Sequence, residues 1–416
     1  MILQKLRGML WVALFLVLQP SKVAVYAEEV LAKAVDSHEP RLRLDPLKVI
    51  YMTSWVAAHQ SLRADIVKFI KASEINAVVI DVKDYSGTVS FDTGDPAIEQ
   101  LRTEKIRCKD LQDFIQALHT HNIYVIARIT VFQDPLYAIK FPSEAIQSKK
   151  HATTWQDFKG LAYIDPASKK FWKYIVCLSR ACKTVGFDEI NYDYIRFPTD
   201  GYISDMQFPL SLPQIEPIPD KQFVTFRAKG EVVMHTTKEA VSKDNDQFWV
   251  EISFKTIILQ EFYKYLHQEV REKLSIPISG DLFGMTLTDH TDLNIGQVLE
   301  IAAPYFDYIA PMIYPSHYPS GFQGFKKPAN YPYEIVSAVL KEGVRRLKRI
   351  GYPAHKLRPW LQDFNLGAIY DATKVNAQKK GVYDAGLRSW FIWNPSNKYL
   401  LDKYIISTLL SRKIKD

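Results

Sequence analysis

The stretch from Gly186 to Pro198 reads Gly-Phe-Asp-Glu-Ile-Asn-Tyr-Asp-Tyr-Ile-Arg-Phe-Pro, with acids and an amide at every second position. Side chains alternate between the two faces of a strand, so Glu189, Asn191 and Asp193 share one face and Ile190, Tyr192 and Tyr194 the other. A polar face on a buried strand must meet ion pairs, hydrogen bonds or a ligand, because an unpaired charge away from water is costly. Asp193 stands nearest the C-terminal end, and Arg196 beyond it is placed to hold a carboxylate ionised. A second run, Ser279-Gly280-Asp281-Leu282-Phe283-Gly284, also ends on a carboxylate. Neighbouring strands lie ~4.8 Å apart. Carboxylates on two such strand ends approach the ~5 to 5.5 Å separation at which retaining glycosidases hold a nucleophile and an acid/base. Each acid also has a purely structural reading: Asp193 as one half of a buried pair with Arg196, and Asp281 as a helix cap or a partner of Asn191.

Other candidates stand at comparable positions. Asp81-Val82-Lys83-Asp84 puts two charges on one face and a third in the turn. Asp81 is expected to pair internally with Lys83 or Arg128, which leaves Asp84 the freer acid. Asp363, after Trp360 and Gln362, offers a third catalytic carboxylate or a helix cap. Trp55, Tyr85, Tyr314, Tyr318, Trp360 and Trp393 all fall at or just past strand ends. Sugar rings present apolar C–H faces that stack on such aromatics, while their hydroxyls need charged and amide partners. The expected substrate-binding set is therefore Trp55, Asp84, Arg128, Asn191, Arg196, Tyr314, His317, Trp360 and Trp393. Asp281, Asp289, His290, Asp292 and His317 match no zinc spacing, so no metal or other cofactor is expected. No Gly-x-Ser-x-Gly turn is present for serine chemistry.

The elements that must position these residues follow from the alternation of short β-branched or aromatic runs with amphipathic segments. Eight such runs occur: 49–53, 77–83, 124–131, 189–197, 278–283, 308–314, 357–364 and 389–393. Helical patterns over 62–73, 111–121, 169–185, 254–274, 295–303, 333–350, 372–380 and 398–412 separate and follow them. Repeated βα units build parallel sheets, and eight is the number of the (β/α)8 TIM barrel. An open doubly wound sheet lacks support, since Thr53-Ser54-Trp55 stands where a glycine-rich phosphate turn would follow the first strand. Active sites of such barrels lie at strand C-termini. The connections at 84–109 and 198–250 are long. The second carries a proline-rich stretch and a hairpin pattern, Phe223-Val224-Thr225-Phe226 and Val232-Val233-Met234 around Lys229-Gly230, so the 205–250 insertion either roofs the cleft or decorates the surface.

The N-terminus bears on location. Lys5 and Arg7 precede an apolar run from Met9 to Leu18, shorter than the ~20 residues of a spanning helix, and Val25-Tyr26-Ala27 suits cleavage after Ala27. Residues 1–27 are expected to be a signal peptide and 28–46 a linker to the barrel at 47–412, in an exported protein of the periplasm, envelope or medium. Loss of the signal lowers the net charge from +7 to +4. That mild basicity is dispersed, which argues against nucleic-acid binding. Cys108, Cys177 and Cys182 are odd in number, and the last two lie five apart on one helix, so no disulfide framework is expected.

Several strings resemble one known family, the putative glycoside hydrolase domains once classed as a domain of unknown function. They are Asn76 to Asp84, Phe187 to Gly201, Pro311 to Tyr318, Trp360 to Phe364 and Trp393 to Asn397, in order across roughly residues 47 to 400. The resemblance implies a barrel distantly similar to the α-amylase-like enzymes, whose nucleophile ends the fourth strand and whose acid/base stands on the fifth. It thereby implies Asp193 as nucleophile and Asp281 as acid/base, although the amylase-like enzymes carry a glutamate where this chain has the shorter aspartate. The insertion at 205–250 is longer than the family's usual connection. The expected activity is hydrolysis of O-glycosidic bonds in a polysaccharide or oligosaccharide. The alternative is a non-catalytic carbohydrate-binding or envelope barrel in which no carboxylate pair is correctly spaced.

Overall fold

The computed structural model describes residues 46–101, 103, 105–211, 222–226, 232–235 and 248–404. The expected signal peptide, the linker up to residue 45 and most of the last expected helix lie outside them. Eight parallel strands, β1 (Lys48–Met52), β2 (Ala77–Lys83), β3 (Tyr124–Thr130), β4 (Glu189–Asp193), β5 (Ile278–Phe283), β6 (Tyr308–Ile313), β7 (Trp360–Gln362) and β8 (Trp390–Trp393), close into a barrel in sequence order. This is the TIM barrel that the eight runs predict. Helices between the strands cover its outer face. Two of them begin on side-chain caps: Ser168 accepts the amide hydrogen of Phe171 at 3.1 Å before Lys169–Thr184, and Asp371 accepts that of Lys374 at 3.0 Å before Ala372–Asp384.

Alternation along the strands separates two apolar layers. One side packs the helices, and the other fills the barrel with Val49, Val79, Ile126, Ala310, Trp360 and Phe391. Register then fixes which polar residues share a level. Asp81 stands opposite Arg128, Arg128 opposite Asn191, Thr130 opposite Asp193, and Asn191 opposite Ser279.

Two departures from simple alternation matter. The register of β2 against β3 shifts between Asp81 and Lys83, so these residues do not share a face as expected. Asp81 points into the barrel, whereas Lys83 turns outward to a buried pair with Asp134 at 3.0 Å. The fourth strand, expected to run to Phe197, stops at Asp193 because Tyr194 takes a left-handed backbone conformation, φ +53°. For a bulky side chain that conformation is uncommon and strained.

The insertion after β4 contains the expected hairpin, Gln222–Phe226 paired with Val232–His235, and a third strand, Phe248–Ile252, that the alternation did not reveal. Its edge meets the loop after β5, where the amide of Glu251 donates to the carbonyl of His290 at 2.6 Å. The three cysteines are unpaired.

Candidate active site

A cavity of about 500 Å³ opens at the C-terminal mouth of the barrel. Its floor is organised by Arg128 of β3. Nη1 of this guanidinium donates to Oδ1 of Asp81 at 2.6 Å, Nη2 donates to Oδ2 of Asp193, and Nε lies 3.8 Å from Oδ2 of Asp281. Three acids from β2, β4 and β5 thus converge on one cation: Asp81 stands level with Arg128, and Asp193 and Asp281 each stand one inward position further along their strands. Asp193 and Asp281 touch the same planar group, so their carboxyls lie within the ~10 Å that bounds the two glycosidase geometries.

The two acids differ in surroundings. Asp193 accepts the amide hydrogen of Tyr194 on Oδ1 at 2.5 Å and the guanidinium on Oδ2. Asp281 is fully buried, and its Oδ1 accepts from Nδ2 of Asn191 and from the indole Nε1 of Trp360, both at 2.8 Å. Burial, reinforced by the charge of Asp193, pushes the Asp281 carboxyl well above the usual carboxylate range. Burial raises Asp81 as well, despite Arg128 and the phenol of Tyr51 that donates to it. The result is a carboxylate oriented by Arg128 beside a carboxyl group that favours its proton.

The walls are aromatic. Tyr314 and Trp393 pack with ring centroids 5.0 Å apart, and His317 meets Tyr314 at 5.3 Å. Partial desolvation at the mouth lowers the His317 imidazole below its ordinary range. Tyr194 lines the cavity too, which corrects its expected place beside Tyr192 on the outer face: the left-handed backbone turns it back toward the mouth. Gly284 is required here, since a Cβ would lie 2.3 Å from the hydroxyl of Tyr318 and 2.6 Å from the carbonyl of Met312.

Asp193, Asp281, Arg128, Arg196, Tyr314, His317, Trp360 and Trp393 line the cavity, and Asn191 supports Asp281 from below. Arg196 does not serve Asp193 as expected. Its Nη1 donates to the carbonyl of Phe197 and to the hydroxyl of Thr199, and Arg128 takes the ion-pairing role. Three predicted residues lie elsewhere. Asp363 is sealed behind the mouth, accepting from Nζ of Lys403 and the phenol of Tyr404, both at 2.6 Å. Asp84 is not free, because Arg107 holds it at 3.0 Å. Trp55 is exposed and stacks on that same Arg107 outside the cavity, as Tyr85 is exposed nearby in sequence. Tyr51 was missed, although its inward position two residues after Val49 on β1 was the available signal. Among the described residues no group of three or more His, Cys, Asp or Glu side chains is arranged to hold a metal ion. Asp289, His290 and Asp292 are bound into the loop after β5, apart from Asp281.

Comparisons with known proteins agree with this fold. The model of a family described as putative glycosyl hydrolase domain matches residues 49–399. Among solved structures, a hypothetical protein from Ruminiclostridium thermocellum is 25% identical, with a TM-score of 0.42, over 56% of this chain and 96% of that one. An α-L-fucosidase isoenzyme from Paenibacillus thiaminolyticus is 12% identical, with a TM-score of 0.52, over 86% of this chain and 48% of its own. An α-galactosidase from Thermus thermophilus in complex with stachyose is 11% identical, with a TM-score of 0.49, over 91% and 67%. This chain therefore spans about half the length of the fucosidase. No curated protein sequence matches it.

Proposed function

The chain belongs to the family of putative glycosyl hydrolase domains, and from that premise we propose that it hydrolyses O-glycosidic bonds of a polysaccharide or oligosaccharide with Asp193 and Asp281 as the working pair. The observation that carries this reading is the convergence of both acids on Arg128 at the mouth, with Asp281 biased toward its protonated form. Asp193 attacks the anomeric carbon while Asp281 gives its proton to the leaving oxygen. Asp281, then deprotonated, takes a proton from the water that releases the sugar from Asp193. Arg128 orients the Asp193 carboxylate, and the Tyr314 and Trp393 rings supply apolar faces for the sugar. The N-terminal signal pattern supports action outside the cytoplasm.

A glycan-library hydrolysis screen with Asp193→Asn as the control tests the reading. The native protein should release reducing ends from at least one glycan, and the variant should not while melting at nearly the same temperature. Glycan binding by the native protein without hydrolysis of any bound glycan would instead establish a non-catalytic carbohydrate-binding barrel.

A further inference from the structure

The cavity holds two guanidinium groups in opposite conditions. Arg128 spends all three nitrogens on aspartates. Arg196 is only 5% exposed, and its guanidinium is held between the rings of Tyr194 at 4.9 Å and Phe283 at 4.8 Å. One nitrogen, Nη1, is anchored by the Phe197 carbonyl at 3.1 Å and the Thr199 hydroxyl at 3.3 Å. Among the described residues, Nε and Nη2 donate to nothing, and neither is a sealed interior atom. Asp200 at the rim bonds to the Thr199 hydroxyl and forms no ion pair with Arg196. A desolvated cation without a counter-ion is costly unless a ligand supplies one. The open edge of a guanidinium, Nε with Nη2, matches the two oxygens of a carboxylate, and the flanking rings hold it in position.

We propose that Arg196 binds the carboxylate of an acidic sugar, so that the substrate class of this cavity is a uronic acid-containing glycan. The assignment rests on the glycosidase reading for its sugar but not for its charge. Saturation-transfer NMR on the full chain tests it with methyl glucuronide and methyl galacturonide against methyl glucoside and methyl galactoside, using the native protein, Arg196→Met and Arg196→Lys. At least one uronide should bind about tenfold more tightly than its neutral counterpart, as a charge-assisted contact predicts. Arg196→Met, which keeps an apolar stem between the two rings, should erase that preference. Arg196→Lys should restore part of it, which separates lost charge from lost packing. Equal binding of neutral and acidic sugars, a preference that survives in Arg196→Met, or binding of none of the four would overturn the proposal. Equal affinity for galactose 6-sulfate would overturn its commitment to a carboxylate. The glycosidase reading fails separately, through a uronide that binds with Arg196 dependence while no uronic acid-containing or neutral glycan is cleaved.

Discussion

The barrel interior contains two ion clusters, one near its base and one at its mouth, and they are built on different plans. At the base, Glu189 and Arg358 pair one to one at 3.1 Å. Ser279 donates to the acid at 2.6 Å, and the guanidinium lies over the Tyr308 ring. Both side chains are almost completely buried, and the cluster is closed by its own partners. At the mouth one cation serves three acids, and the set opens on a cavity. The balanced cluster fills space and satisfies charge. The unbalanced one leaves a carboxyl group displaced from its ordinary titration range beside a space that admits a ligand. Perturbed acids facing a cleft are where function concentrates. Two acids on the same inward face of β4 thus stand in opposite surroundings, Glu189 in a closed pair and Asp193 beside the open cavity.

Substitutions can break this contrast, and the largest effect belongs at the mouth. Asp193→Asn should lower kcat by about 10⁴ or more. Unfolding midpoints in urea should barely move, since the change removes one negative charge from a cluster with an excess of them. At the base the pattern inverts. Glu189→Gln strands the Arg358 charge in the interior and should cost about 3–5 kcal/mol of stability in denaturant titrations, with kcat per folded molecule preserved. A comparable loss of stability in Asp193→Asn would erase the distinction between the clusters.

Asp281→Asn comes next. Removing a general acid typically costs about 10²–10⁴ in rate, so kcat should drop by that range on alkyl glycosides. The loss should shrink on nitrophenyl glycosides, whose leaving groups need little protonation. Native activity should decline on the alkaline side as Asp281 loses its proton, and the variant's pH–rate profile should lose that limb. Stability carries the matching sign. The folded pKa of Asp281 is raised, so its contribution is full below the unfolded value of ~3.9 and is lost as pH rises through the folded value. Thermal melts across pH should accordingly show Asp281→Asn gaining on the native protein toward alkaline pH. The smallest effect is expected at Asp363, whose partners are Lys403 and Tyr404. Asp363→Asn should cost about 1–3 kcal/mol of stability and leave kcat unchanged, and a selective loss of kcat would return it to the active site.

Much of this was legible in the chain. The eight runs specify the barrel, because a period of two and a period near 3.6 are local properties of successive side chains. The same alternation marks Asp193, Asp281 and Arg128 as inward-facing. It fails at Asp81 and Lys83, where a register irregularity sends one residue inward and the other outward, and at Tyr194, where a positive φ reverses the expected face. Neither event has a glycine or proline to announce it.

Sequence alone thus determined the closed parallel sheet and the inward placement of Asp193 and Asp281 at its C-terminal end. Only the tertiary structure decided who partners whom. Arg128 rather than Arg196 meets Asp193, Lys403 removes Asp363 from consideration, and Arg107 claims Asp84. Which face a side chain takes is set by its immediate neighbours in the chain. Which charge it meets depends on barrel closure and strand register, which bring together residues as far apart in sequence as Arg128 and Asp281.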